Sequence, residues 1–82
     1  MGLKYPMTNK HTHHISSEMV AGKLVIYSPK DKCLVSKKDK YLIQYRGTTV
    51  KKMTIEGAAI AVKKALNYGN LTQIEDAIKT HL

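Results

Sequence analysis

From Lys23 onward the chain alternates apolar and polar positions in short runs separated by turn residues, which is the pattern of β-strands. Lys23-Leu24-Val25-Ile26-Tyr27 is β-branched and aromatic. Ser28-Pro29-Lys30-Asp31 follows, with Pro at the second turn position, where its fixed φ fits. Lys32-Cys33-Leu34-Val35-Ser36 reads as the returning strand and Lys37-Lys38-Asp39-Lys40 as the next turn. The strongest strand is Tyr41-Leu42-Ile43-Gln44-Tyr45-Arg46, with Tyr41, Ile43 and Tyr45 on one face and Leu42, Gln44 and Arg46 on the other. Gly47 permits a tight turn into Thr49-Val50-Lys51-Lys52-Met53, a fourth strand. Residues 1–22 show neither period and are expected to form a flexible N-terminal arm, with at most a short turn of structure at Ile15 to Val20.

At Thr54 the spacing changes to three and four. Ile55, Ala58, Ala59, Val62 and Leu66 mark one helical face, Thr54 is placed to cap its start, and Glu56 sits in the first turn where the helix dipole favours a carboxylate. Asn67-Tyr68-Gly69 ends this helix, with Gly69 expected as the left-handed residue. A second helix is predicted from Asn70 or Thr72. Thr72-x-x-Glu75 matches a capping box, and Leu71, Ile74, Ile78 and Leu82 form the apolar stripe. The expected fold is α+β: a small antiparallel three- or four-stranded β-meander packed against two C-terminal helices, with residues 23–82 as a single domain.

At 82 residues, with no Trp or Phe, the chain builds a thin core, an unpromising frame for the deep pocket an enzyme needs. A single cysteine, Cys33, predicts a reducing, cytoplasmic compartment, and no apolar run approaches the roughly 20 residues of a membrane span. Fourteen Lys and Arg against six Asp and Glu give a net charge of +8. The excess is concentrated between residues 23 and 52. Such a field attracts nucleic acid or an acidic protein; its bland counterpart is a solvated lysine-rich surface that guards sheet edges.

The side chains that most often carry chemistry have structural explanations here. His11, His13 and His14 lie within four residues, but without a second ligand pair they predict no physiological metal site. Cys33, between apolar neighbours, reads as a packed and inert thiol. Asp31 and Asp39 fall in turns, and Glu56, Glu75 and Asp76 in first turns of helices. No phosphate-cradling glycine loop or nucleophile elbow occurs, so neither catalytic residues nor a cofactor are expected.

The remaining candidate is the basic sheet. With Tyr41, Ile43 and Tyr45 under the helices, Gln44 and Arg46 face outward, flanked by Lys37, Lys38 and Lys40 on one side and Lys51 and Lys52 on the other. Lysines attract phosphates without direction, whereas Arg and Gln are able to hydrogen-bond base edges in a major groove that admits a β-ribbon. An edge strand of such a meander is also open to pairing with a second copy.

Strands ending in Tyr41 to Arg46, a turn at Gly47, the basic stretch Thr48 to Lys52 and the helix from Thr54 resemble, in element order, the arm-binding domain of phage integrases. The order is similar also to the DNA-binding domain of plant ethylene-response factors. The resemblance spans about residues 23–69. It implies a sheet lying in the major groove with a helix behind it, and contacts to DNA from Gln44, Arg46 and the lysines around them. This chain departs from those families in lacking their Trp and in carrying Lys in place of several Arg. The expectation is therefore a non-enzymatic nucleic-acid-binding protein, phage or mobile-element encoded, that takes DNA in preference to RNA. The alternative is an interaction module or anti-defence type inhibitor docking on an acidic or nucleic-acid-handling protein.

Overall fold

Successive strands are joined by connections of two to four residues, too short for a crossover, so each strand pairs antiparallel with the one before it. In the computed structural model, which describes residues 14–82, β1 (Ser16–Val20), β2 (Lys23–Tyr27), β3 (Lys32–Lys37), β4 (Tyr41–Tyr45) and β5 (Thr48–Lys52) form one meander in chain order. Helices α1 (Ile55–Leu66) and α2 (Leu71–His81) follow. The α+β class is as expected, but the sheet has five strands in place of three or four.

The additional strand is β1, which lies within the segment expected as an arm. It pairs along its whole length with β2, from Ser16 opposite Tyr27 to Val20 opposite Lys23. Ala21 (φ 52°) and Gly22 (φ 81°) form a tight left-handed loop between them, and Arg46 (φ 48°) and Gly47 (φ 81°) repeat it between β4 and β5. Paired positive φ values match the right-handed twist of flanking strands. Residues 1–13, the rest of the expected arm, lie outside the described residues.

Leu24, Ile26, Cys33, Val35, Tyr41 and Ile43 project from one sheet face and are buried against Ala58, Ala59, Val62 and Leu66 of α1 and Ile74 and Ile78 of α2. α1 rests on β3, β4 and β5, while α2 covers β2 and packs against α1. The small pair Ala58-Ala59 lets α1 lie close to the sheet. Burial of each large aliphatic side chain in this layer contributes about 1.5–3 kcal/mol.

Thr54 caps α1, its hydroxyl accepting from the Gly57 N–H at 2.9 Å. The helix ends at Leu66 and is capped by Asn67, not Gly69, the left-handed backbone of Asn67 (φ 53°) directing its N–H to the Lys63 carbonyl. Gly69 is left-handed too (φ 85°), but for another reason: a β-carbon there would lie 2.9 Å from Ile15 Cγ2. Asn70, not Thr72, caps α2, accepting from the Gln73 N–H at 2.9 Å. This start places Glu75 and Asp76 beyond the first turn, so the capping box expected at Thr72 is not formed. No helix among the described residues is long and apolar enough to cross a membrane.

Candidate nucleic-acid interface

Strand parity and the observed register divide the cations between the two faces of the sheet. On the face away from the helices, one row across the strands runs Val20, Lys23, Ser36, Leu42, Lys51, and the next runs Glu18, Val25, Leu34, Gln44, Thr49. Leu42 and Gln44 face outward as expected, opposite Lys51 and Thr49. Lys38, Asp39 and Lys40 form the exposed β3–β4 turn and, with Leu42 and Lys51, surround a depression of about 270 Å³.

Two of the expected site residues do not belong to this face. Lys52 lies opposite Tyr41, on the helix side, and its aliphatic stem runs along α1: a β-carbon at Gly57 would meet Lys52 Cβ at 3.5 Å. Lys37 also pairs with Tyr41 and holds its ammonium 5.2 Å from that ring's centroid, a cation–π contact at the end of the helix-side layer. The hairpin arithmetic was available in the sequence. A two-residue loop at Arg46-Gly47 pairs Tyr45 with Thr48, and counting back by two from there places Lys52 beside Tyr41.

The two base-reading candidates are already engaged. Gln44 Oε1 accepts from Lys23 Nζ at 3.2 Å. Arg46 forms an ion pair with Asp31 at 2.9 Å, donates from Nε to the same carboxylate at 3.1 Å, and stacks 5.3 Å from the Tyr45 ring centroid. Asp31 also accepts from the Tyr45 hydroxyl and from the Lys32 N–H. The Tyr45 hydrogen bond, aided by the Lys32 amide and Arg46, holds the Asp31 carboxyl below its usual range, and the same bond raises the Tyr45 hydroxyl. Arg46 is thus a strut between the β2–β3 and β4–β5 turns, with most of its side chain still in solvent.

Lys23 and Lys32, not among the expected site residues, lie on the outward face with Tyr27 between them. Lys32 is exposed at the start of β3, and Tyr27 donates its hydroxyl to Glu18, a bond that raises its pKa. The signal that would have found them is the alternation in β2 and β3: Leu24, Ile26, Cys33 and Val35 are buried on the helix side, so Lys23, Val25, Tyr27 and Lys32 face away. Cys33 is fully buried, and desolvation pushes its thiol up to about 11. Among the described residues no three His, Cys, Asp or Glu side chains converge as ligands for a metal. His14 lies 3.4 Å from the Gln73 amide, and His11 and His13 fall outside the described residues. The chain matches no protein-family profile, no curated protein and no solved structure.

Proposed function

We propose that this is a non-enzymatic nucleic-acid-binding protein that lays the outward face of its sheet against the phosphates of duplex DNA. The observation that carries the reading is the placement of Lys23, Lys32 and Lys51 on one sheet face, continued by Lys38 and Lys40 in the adjoining turn. Glu18 is the one acid in the rows between them, and it is held by Tyr27. The integrase-like order of strands, glycine turn and helix favours DNA. With Gln44 held by Lys23 and Arg46 held by Asp31, binding rests on phosphates and discriminates little between sequences.

Fluorescence anisotropy of a mixed-sequence DNA duplex at about 50 and 200 mM salt tests the proposal. Five lysine–phosphate contacts give a loss of several hundred-fold between the two conditions. Absence of binding at the lower salt overturns it.

A second reading, an interaction module or inhibitor on an acidic protein, draws on a different feature of the same face. Val25 is 5% exposed although it points away from the helices, Leu34 opposite it is half-buried, and so is Leu42 in the adjoining row, giving apolar ground among the lysines. Protein binding of that kind depends on a few anchors, such as Tyr27 and Leu42, and varies less with salt.

A further inference from the structure

The β5 edge and the adjoining flank of α1 form a surface distinct from the outward sheet face. Val50 and Ile60, 37% and 44% exposed, lie on opposite sides of a groove of about 390 Å³ whose other walls are Lys52, Ala61, Lys64 and Ala65. Gly57, Ala61 and Ala65 recur every four residues along α1 and keep this flank low. Glu56, Ile60 and Lys64 form a second row at the same spacing, with an acid one turn before the isoleucine and a base one turn after it. Within the described residues neither Glu56 nor Lys64 has an ion-pair partner.

We infer that this surface receives a second copy of the chain, joined strand to strand through β5 and helix to helix through α1 about a two-fold axis. The charge order of the α1 row is self-complementary. An antiparallel α1 centred on Ile60 brings Glu56 to the partner's Lys64 and Lys64 to the partner's Glu56, while the partner's Ile60 enters the groove beside Val50. The strand register agrees with this placement. A two-residue loop closes on a hydrogen-bonded pair, here Tyr45 and Thr48, and alternation then turns the backbone groups of Thr49 and Lys51 away from β4. An axis through Val50 sets Thr49 opposite the partner's Lys51, so the outward donors and acceptors meet and no lysine stands directly opposite another. The product is a continuous ten-stranded sheet with all four helices on one side. The inference does not depend on DNA binding, although the dimer would set two basic faces side by side.

Sedimentation equilibrium on the full chain from about 5 to 200 μM tests it. The expected result is a mass rising with concentration from 9.2 kDa toward twice that value. Lys64→Glu is expected to weaken association at least tenfold, because it breaks two pairs per dimer, and Glu56→Lys in the same chain restores it. Ile60→Asp, at a half-exposed position, is expected to leave a folded monomer by circular dichroism. A monomer throughout the range overturns the proposal and leaves the β5 edge to a strand from another protein. A dimer indifferent to Ile60→Asp, or a Lys64→Glu defect that Glu56→Lys does not repair, overturns it as well.

Discussion

Tyr45, at the end of β4, donates its hydroxyl to Asp31 in the β2–β3 turn at 2.5 Å, on the carboxylate oxygen that also pairs with Arg46. One carboxylate thereby ties two turns of the sheet that are not neighbours in the chain. Because the folded-state pKa of Asp31 lies below its ordinary value of 3.8, its contribution to stability is complete above that value. It is lost as pH falls through the depressed pKa. Asp31→Asn is expected to lower the melting temperature at neutral pH, and the difference from wild type should shrink in strong acid, where both proteins carry a neutral group. A difference independent of pH would mean that packing, not charge, is what the substitution removed.

Gly69 and Ile15 make a second prediction. Alanine at position 69 meets both a left-handed backbone, costing about 1–2 kcal/mol, and the Ile15 methyl. Urea denaturation of Gly69→Ala, Ile15→Ala and the double variant separates the two. The cost of Gly69→Ala should fall in the Ile15→Ala background and the remainder should equal the backbone term. Simple additivity would show that the side chains do not meet.

The division of lysines between faces gives a third. Lys23→Ala with Lys51→Ala should reduce the slope of log affinity against log salt by about 2 in DNA binding. Lys37→Ala with Lys52→Ala, which empties the helix-side positions, should change that slope much less. Equal effects from the two pairs would remove the outward face as the binding surface.

Much of this arrangement is legible in the sequence, and the misreadings have local causes. Tyr41 and Ile43 are buried and Leu42 and Gln44 face away, as period-two alternation requires, because β4 is the most interior strand of the helix-covered half. Thr54 and the α1 stripe were equally plain. β1 was not, because an edge strand with neither face fully covered leaves no alternation to read: of its five residues only Ser17 is even half-buried. Its turn, Ala21-Gly22, also lacks the Asn or Asp that usually announces a left-handed hairpin loop. Lys37 and Lys52 were assigned by proximity along the chain, whereas the ladder assigns them by parity. The ties that occupy Gln44 and Arg46 depend on residues 15 to 21 positions away and leave no trace in any local pattern.

Cys33 offers a fourth prediction, since its sulfur is buried and its thiol raised to about 11 by desolvation. A thiol reagent such as Ellman's should label the native protein at neutral pH only as fast as the sheet opens, and should label it at once in denaturant. Rapid native labelling would place Cys33 on the surface and undo the facing assigned to β3.

The contacts of the first strand have a temporal consequence. Ile15 is seated by Gly69, and His14 reaches Gln73, a residue 59 positions further along the chain. A chain being synthesised from its N-terminus has therefore made all five strands and the whole of α1 before the groups that hold His14 and Ile15 exist. The β1–β2 hairpin is able to form early, but Ile15 and His14 at its entry gain these contacts only once Gly69 and Gln73 exist, so until then that segment is open to aggregation and proteolysis.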